Sequence, residues 1–429
     1  MKASKYNFLY ETDSKDNWVL YNSRTGALSV IESDYYDSLV NLEKQNIPIS
    51  NDKHLKDLKA CGYIIDDYVD ELDLIRHRMN QYKYTTAQLS LTIAPTMQCN
   101  FGCIYCFEKN NSRNLNMTSE VSEKIISLVK TKAAELTYLH ITWFGGEPLL
   151  DIDTLYSMSK EFIKICKENN IQYHSRVITN GYFLTEEVAK KLVECQIEMV
   201  QVTLDGPKDI HDSRRPLIGG QGTFDKVVKN VIQCADIVPI AIRINTDKEN
   251  YSRIYEIIDI LKKANVVDKI IPYLGLVEAS NDGYENSKCM SVETYSKFNL
   301  DFLERNQLDI MNIYPEPKGS YCGADSMNNY VIDPKGYLYK CWSDIGILER
   351  SIGSIMDEQY KGNSKLCYEY LFFDATQDEK CKDCKYLPFC MGGCASSRIH
   401  NRENCVQQKY VLEEYLIECA KLILPKKLP

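Results

Sequence analysis

Six runs of strand-like residues alternate with five helical patterns through the middle of the chain, and this alternation constrains the fold more than any other feature. The predicted strands cover residues 89–94, 138–144, 173–179, 199–204, 238–245 and 269–274. The predicted helices cover about residues 118–136, 151–169, 185–195, 223–235 and 250–265, with Thr118 as the N-cap of the first. Such alternation calls for parallel β-α units, and six units are two short of a closed eight-stranded barrel. We therefore expect an α/β fold built on a partial (β/α)6 barrel, with its chemistry at the carboxyl ends of the strands.

Three cysteines, Cys99, Cys103 and Cys106, follow the first predicted strand with the spacing C-x3-C-x2-C. Three thiolates can converge on one metal centre, but a tetrahedral zinc site or a fully protein-ligated iron-sulfur cluster requires four ligands. The missing ligand leaves a metal position open to a small molecule, which favours a reactive site, although a zinc site remains an alternative for this loop alone. The spacing resembles the radical S-adenosylmethionine (SAM) superfamily, in which three cysteines hold a [4Fe-4S] cluster and SAM binds the fourth iron.

The second predicted strand runs into a glycine-rich motif consisting of Gly145, Gly146, Glu147 and Pro148. Two glycines allow a close approach of the backbone to a ligand, and Glu147 offers a carboxylate to an ammonium group. Beside the cysteine loop, the motif resembles the GGEP sequence of radical SAM enzymes, which holds the amino group of SAM.

The same resemblance implies further contacts with SAM at the ends of later strands. It places the adenine of SAM near the backbone of Tyr105. It places the ribose and the carboxylate of SAM near Asn180, Thr203 and Arg214. Arg215 is by its chemistry an equal candidate for the role of Arg214. Asp205 and Tyr321 are polar candidates near the expected chemistry, and no catalytic base is assigned.

A second set of seven cysteines occupies the last quarter of the chain with regular spacings. Cys322 is followed after thirteen residues by Gly336 and after four more by Cys341, and five further cysteines complete the pattern. This pattern resembles the SPASM domain, which carries auxiliary iron-sulfur clusters; a pair of structural zinc sites is the competing interpretation. By resemblance, one auxiliary [4Fe-4S] cluster would be held by Cys381, Cys384, Cys390 and Cys405. The other would be held by Cys322, Cys341 and Cys394. This second cluster either has an open iron or takes a fourth ligand from Cys289 or Cys367.

Residues 1–85 form a small unit of their own by the sequence pattern. Strands at about 7–11, 17–21 and 27–31 precede a helix capped by Ser33 or Asp34 and a helix over 54–61, and 72–84 suits a linking helix. The order resembles the winged-helix element of enzymes that modify ribosomally made peptides, which binds a leader peptide as an added strand. The alternative is an extension that merely packs on the catalytic domain. The chain is thus predicted to comprise a recognition domain (1–85), a radical SAM barrel (86–310) and a SPASM domain with a C-terminal helix (311–429).

Composition and charge exclude several other classes of protein. The 429-residue chain has no apolar stretch long enough to cross a bilayer and no signal peptide, so we expect it in the cytoplasm. A net charge of -9 without a long basic run argues against nucleic-acid or membrane-surface binding. Seventeen cysteines and only six histidines indicate metal ligation by sulfur and not a disulfide framework. Five remaining cysteines lie among apolar residues and are predicted to be core side chains: Cys61, Cys166, Cys195, Cys234 and Cys419.

The resemblance implies an enzyme that uses SAM, one SAM-binding [4Fe-4S] cluster and two auxiliary [4Fe-4S] clusters. The leading expectation is maturation of a ribosomally synthesised precursor peptide by a thioether link between a cysteine sulfur and a carbon. A formylglycine-generating sulfatase maturase and a carbon-carbon peptide crosslinker are alternatives, and a non-catalytic zinc-binding interaction protein is an alternative of another class. The expected partners are a precursor peptide with a leader and a reductant such as flavodoxin or ferredoxin.

Overall fold

The computed structural model describes residues 1–12, 16–108, 114–279, 284–402 and 405–423. These residues form two compact units. The barrel unit comprises the described parts of Thr85–Ser291 and Met327–Leu371. The terminal unit comprises the described parts of Met1–Tyr84, Val292–Ser326 and Phe372–Pro429. The boundary predicted after residue 85 lies one residue from a division between the units, whereas the one predicted after residue 310 falls inside the terminal unit.

Helices and strands are numbered here in chain order over the described residues. The strands are β1 Lys2–Ala3, β2 Asn7–Glu11, β3 Asn17–Asn22, β4 Ala27–Glu32, β5 Ile64–Ile65, β6 Gln88–Ile93, β7 Tyr138–Trp143, β8 Gln172–Thr179, β9 Ile197–Thr203, β10 Ile240–Thr246, β11 Ile270–Leu276, β12 Asn329–Ile332, β13 Tyr337–Tyr339 and β14 Gly353–Ser354. The α-helices are α1 Ser33–Gln45, α2 Asp52–Ala60, α3 Glu71–Tyr84, α4 Ser119–Lys132, α5 Ile152–Asn169, α6 Glu186–Glu194, α7 Lys208–Arg214, α8 Phe224–Cys234, α9 Tyr255–Lys263, α10 Val292–Arg305, α11 Ser364–Leu371, α12 Leu387–Cys390, α13 Ala395–Ile399 and α14 Leu412–Ile423.

The barrel unit contains the predicted partial barrel. Strands β6 to β11 pair in parallel in chain order, and helices α4, α5, α6, α8 and α9 occupy the connections predicted to be helical. The fold class is therefore confirmed. The sequence analysis missed an extension of this sheet: β12 pairs in parallel with β6, and β13 and β14 follow it antiparallel. These strands have only two to four residues, too few to show a periodic pattern.

One face of β7 packs on helix α5. In β7 the residues Leu139, Ile141 and Trp143 are buried, and the Trp143 ring stacks 6.4 Å from Phe162 of α5. The alternate residues of β7 point to the opposite, concave face, because successive side chains of a strand alternate. Helix α4 follows its predicted pattern, and the Thr118 side chain accepts a hydrogen bond from the backbone N–H of Val121, which confirms the predicted cap.

The terminal unit contains a three-stranded antiparallel sheet, β2-β3-β4, close to its predicted bounds. The proposed cap of α1 was wrong. The helix begins at Ser33 itself, because it follows β4 directly and Glu32 takes the cap position without a side-chain hydrogen bond. Phe8 and Tyr21 of the sheet are buried in one core with Leu412, Tyr415 and Leu416 of α14. The two ends of the described chain thus share one core.

The predicted core cysteines are buried at four of five positions. Cys166, Cys195, Cys234 and Cys419 are buried, whereas Cys61 is only half-buried at the end of α2. Within the described part of the chain, every helix is too short or too polar to span a lipid bilayer.

Candidate functional site

The loop of Cys99, Cys103 and Cys106 follows β6 at the carboxyl end of the barrel strands. All three thiols are half-buried, and the charge on Cys99 interacts with those on Cys103 and Cys106. Burial, reinforced by the charge of Glu147, raises the pKa of Cys99 to about 12. The cations of a metal cluster would favour the thiolate form that this environment otherwise disfavours. The donor set and its placement therefore fit an iron-sulfur cluster.

Gly145 and Gly146 bring the second motif against the segment that leads into the cysteine loop. A Cβ on Gly146 would lie 2.3 Å from the Gln98 carbonyl oxygen, and one on Gly145 would lie 2.5 Å from that of Thr96. The backbone N–H of Glu147 donates to the Gln98 carbonyl at 2.8 Å. The close approach of this protein segment thus already requires glycine at both positions. Whether they also contact SAM stays a prediction.

Glu147 is fully buried, and its carboxylate accepts three hydrogen bonds. The donors are the Thr179 hydroxyl at 2.6 Å, the Asn180 N–H at 2.7 Å and the Leu149 N–H at 3.0 Å. Burial raises the pKa of Glu147, while these hydrogen bonds oppose the rise. Pro148, also buried, starts the short 3-10 helix that follows. The carboxylate is held rigidly, as a group that binds an ammonium must be.

Asn180 and Thr203 stand at the ends of β8 and β9, as predicted. The Asn180 side-chain amide donates to Asn100 at 2.8 Å and points toward the Cys99 sulfur at 3.9 Å. Thr203 is buried. Asn180 therefore touches the cysteine loop directly.

A strip of residues 214–218 pairs with the backbone of the cysteine loop. The N–H groups of Ile104 and Gly102 donate to the carbonyls of Arg214 and Pro216 at 3.0 and 2.8 Å. The Ile218 N–H donates in turn to the Asn100 carbonyl at 3.0 Å. The loop is thus held along its length by the segment that follows α7, a helix that the sequence analysis missed.

Arg214 lies in a buried ion network at the ends of β9 and β10. Its Nε donates to the Asp205 carboxylate at 3.0 Å, and its Nη1 lies 2.9 Å from the Asp247 carboxylate. The guanidinium carbon lies 5.1 Å from the centre of the Tyr105 ring, and Tyr284 donates to Asp247 at 2.7 Å. Much of Arg214 is therefore engaged with protein groups, and its predicted contact with SAM stays a prediction.

Tyr105 anchors the cysteine loop through its hydroxyl. The hydroxyl oxygen accepts from Arg215 at 2.7 Å and from Asn245 at 3.0 Å, and burial raises the pKa of this phenol. The sequence analysis did not single out Asn245 or Asp247. Both lie at the carboxyl end of β10, so the rule that located Asn180 and Thr203 could have found them.

Two buried polar atoms in and beside this loop lack a hydrogen-bond partner in the described structure: Asn100 Nδ2 and Arg215 Nε. Buried polar groups are normally satisfied, so these atoms fit the presence of a bound polar cofactor.

Four of the predicted auxiliary ligands lie together in the terminal unit. Cys381 interacts electrostatically with Cys384 and Cys390, and Cys390 interacts with Cys405. Burial raises the pKa of Cys381 to about 12, while the Lys409 ammonium lies 3.4 Å from the Cys405 sulfur. This grouping is compatible with the predicted four-cysteine cluster.

The residues of the second auxiliary set lie in both units. Cys322 interacts with Cys394 in the terminal unit, whereas Cys341 belongs to the barrel unit. Of the two proposed fourth ligands, Cys367 interacts with Lys340, the residue before Cys341. Cys289 interacts instead with Asp247 and Lys248 at the end of β10. The ligand set of this cluster stays a prediction, and Tyr321, one residue before Cys322, is exposed.

Among the described residues, no three His, Cys, Asp or Glu side chains are grouped as the ligands of a single metal ion would be.

Comparisons with known proteins identify the family of the barrel unit and several relatives of the chain. Residues 93–278 match the model of the radical SAM superfamily. The chain is 26% identical over 364 residues to a cysteine-type anaerobic sulfatase-maturating enzyme of Clostridium perfringens, an alignment that covers 76% of this chain and 94% of that enzyme.

Two solved structures share the fold. The structure of native anSMEcpe with bound AdoMet and Cp18Cys peptide matches with a TM-score of 0.57 and 23% identity, covering 78% of this chain and 99% of the other. The structure of Streptococcus suis SuiB bound to precursor peptide SuiA matches with a TM-score of 0.54 and 15% identity, covering 95% and 98%.

Residues 93–278 therefore form a radical SAM domain, and the chain is an enzyme. The predicted cofactors, SAM on a [4Fe-4S] cluster with auxiliary [4Fe-4S] clusters, are confirmed for this class of enzyme. The alternative of a non-catalytic zinc-binding protein is set aside. The residues that hold each cofactor stay a prediction.

Proposed function

We propose that this enzyme modifies a ribosomally synthesised precursor peptide and joins a cysteine sulfur to a carbon of another residue. The proposal of a peptide substrate rests on how much of this chain each of the two solved structures covers. The match to anSMEcpe leaves about a fifth of this chain uncovered, whereas the match to SuiB, solved with its precursor peptide, covers 95%.

The first 84 residues supply a surface suited to a leader peptide. Strands β2 and β4 are the two edges of the three-stranded sheet, and a sheet edge can accept an extended peptide as an additional strand. Strand β4 continues directly into α1, so we favour β2 as the edge that accepts the peptide. A leader peptide bound there would tether the substrate to the enzyme.

In the barrel unit, Cys99, Cys103 and Cys106 would ligate the first cluster, and Glu147 would accept the ammonium of SAM. When bound, these cofactors supply a 5′-deoxyadenosyl radical that removes a hydrogen atom from an unreactive carbon. The backbone pairing of 214–218 with the loop, and the anchoring of Tyr105, fix the orientation on which such chemistry depends.

Formation of the thioether bond requires an electron acceptor in the protein. Replacing one C–H and one S–H bond by a C–S bond removes two electrons and two protons from the peptide. One electron leaves with the hydrogen atom that 5′-deoxyadenosine retains, and the other requires an acceptor in the protein. The two cysteine sets of residues 322–405 would hold that acceptor, and a flavodoxin or ferredoxin would supply the reducing electron for SAM.

The reaction is tested with the anaerobically reconstituted full-length chain, SAM, a reductant and a cysteine-containing peptide encoded beside its gene. We expect 5′-deoxyadenosine and a peptide that has lost two hydrogen atoms and no longer reacts with iodoacetamide. The triple variant Cys99→Ala, Cys103→Ala, Cys106→Ala should make no 5′-deoxyadenosine, whereas Cys61→Ala, the matched control, should retain activity. Full SAM cleavage by the triple variant would overturn the assignment.

A sulfatase maturase is the second candidate, favoured by the 26% identity over 364 residues to the clostridial enzyme. In the same assay, a cysteine-containing sulfatase peptide would lose its sulfur and gain an aldehyde that reacts with a hydrazide. A carbon-carbon crosslink would instead leave the cysteine thiol open to iodoacetamide. The three products are therefore distinguishable in one experiment.

A further inference from the structure

The concave face of the partial barrel carries an unusual set of polar side chains. Register pairs Thr142 of β7 with Arg176 of β8, and Arg243 of β10 with Tyr273 of β11. Paired residues of parallel strands share a face, and Thr142 alternates with the helix-facing Ile141 and Trp143. The Arg176 Nε donates to the Thr142 hydroxyl at 3.0 Å, which keeps Arg176 on the same face.

Neither arginine has a carboxylate partner in the described structure. No ion pair among the described residues includes Arg176 or Arg243, although carboxylates outnumber cations in this chain. The single carboxylate of β9, Glu198, bonds to the His174 imidazole at 3.0 Å. Two guanidinium groups on this face therefore remain available to an anion.

Both arginines lie on the face that carries Tyr273, because they pair with Met199 and Thr203 of β9, which are four residues apart. The Tyr273 phenol lies within electrostatic range of both guanidinium groups, and its hydroxyl donates to the Gln201 side chain at 2.6 Å. Gly275 makes room for Arg243, since a Cβ there would lie 2.5 Å from the Arg243 Nε. Burial raises the pKa of Tyr273, while both positive charges oppose the rise, so this phenol stays uncharged at neutral pH and adds no negative charge that would repel an anion.

A short relay connects this group to the cysteine loop. The Arg243 Nε donates to the Asn245 side-chain oxygen at 2.7 Å, and the Asn245 amide donates to the Tyr105 hydroxyl at 3.0 Å. Tyr105 lies between Cys103 and Cys106. Arg243 is thus two hydrogen bonds away from the cysteine loop.

We propose that Arg176, Arg243 and Tyr273 form a carboxylate-binding site that selects and positions the substrate peptide on the concave face. Guanidinium groups bind carboxylates by paired, charge-assisted hydrogen bonds. The carboxylate belongs to an aspartate or glutamate side chain near the modified residue, or to the peptide's C-terminus. The inference rests on the proposed function, because it requires a peptide substrate.

Binding of three pentapeptides to the reconstituted full-length protein, without reductant, tests the site. One has a central glutamate and blocked ends, one a central glutamine and blocked ends, and one a central glutamine and a free carboxyl terminus. Isothermal titration should show that one carboxylate-bearing peptide binds about tenfold more tightly than the neutral peptide. The glutamate peptide identifies a side-chain carboxylate, and the free-ended peptide identifies a terminal one.

Variants of Arg176 complete the test. Arg176→Met should abolish the tighter binding of the carboxylate-bearing peptide, and Arg176→Lys should retain part of it. Arg305 is an exposed arginine of α10, and Arg305→Met should leave this preference unchanged. Equal binding of the three peptides, or a preference that survives in Arg176→Met, would overturn the site. A lowered affinity of Arg176→Met for SAM with unchanged peptide preference would also overturn it, because the arginine would then serve the cofactor.

Different results would contradict the carboxylate-binding site and the proposed function. A retained carboxylate preference in a protein that never modifies a peptide would contradict the function only. Peptide modification without any carboxylate preference would contradict the site only.

Discussion

Arg214 shows how single residues hold the reactive end of the barrel. Its guanidinium joins Asp205 and Asp247, which follow two different strands, and its carbonyl accepts from Ile104 of the cysteine loop. A buried charge without its partner is strongly unfavourable, so these groups depend on one another. The side chain connects two strands while the main chain of the same residue holds the loop.

His211 lies beside this network as a neutral imidazole. Its Nδ1 accepts from the Asp205 N–H at 3.3 Å, and its Nε2 lies 3.1 Å from the Thr223 hydroxyl. Burial, together with the charge of Arg215, lowers its pKa from 6.5 to about 4. The folded state therefore resists protonation, while the unfolded state takes up a proton below pH 6.5.

The free energy of unfolding should consequently fall as the pH decreases from 6.5 toward about 4. Above pH 6.5, His211 should add no pH dependence, because the imidazole is neutral in both states. Thermal unfolding at about pH 7 and about pH 5 should show a smaller decrease for His211→Gln than for the parent chain. The exposed His77 provides the control, since His77→Gln should keep the parent's pH dependence. Equal pH dependence of His211→Gln and parent would contradict the assignment.

At the level of elements, the reactive end is built from loops that pack on one another. The turn after β7 lies against residues 96–98, the strip after α7 lies along the cysteine loop, and Asn180 after β8 bonds to Asn100. Each loop begins at the end of a different strand, so the sheet sets their separations and the hydrogen bonds fix their orientations.

Gly146→Ala should disturb this packing. The new Cβ would meet the backbone of Gln98 at 2.3 Å, a neighbour that cannot rotate away, and Cys99 is the next residue. We expect a loss of stability of about 1 to 3 kcal/mol, and a loss of iron from the first cluster while auxiliary iron remains. Gly353→Ala, where the nearest atom lies at 3.8 Å, is the matched control. Iron analysis with electron paramagnetic resonance would reveal an unaffected first cluster if this is wrong.

At the level of the whole molecule, the two ends of the chain are interdependent. Phe8, Val19 and Tyr21 share a core with Leu412 and Tyr415, and Tyr6 lies in another with Leu387. Residues 1–84 are therefore part of the terminal unit's core and are more than an appended recognition module.

Removal of residues 1–84 should accordingly destabilise α14 and the region of the four auxiliary cysteines. Hydrogen exchange should show loss of protection along Leu412–Ile423, because the apolar surface of that helix becomes exposed. The conservative variant Tyr10→Phe, in the same sheet, should keep the protection. A soluble truncated chain with an unchanged α14 would contradict the shared core and would make deletion a clean test of leader binding.

The sequence by itself determined the six parallel β-α units, the position of the cysteine loop after the first strand, and the class of enzyme. These features depend on local periodicity and on short fixed spacings, which a single stretch of chain displays. Only the tertiary structure showed that Gly145 and Gly146 pack on Thr96 and Gln98, and that Arg214 joins Asp205 to Asp247. It alone showed Arg176, Arg243 and Tyr273 on one face of the sheet. Those pairings join residues far apart in the chain, and strand register and the direction of each loop decide which of them meet.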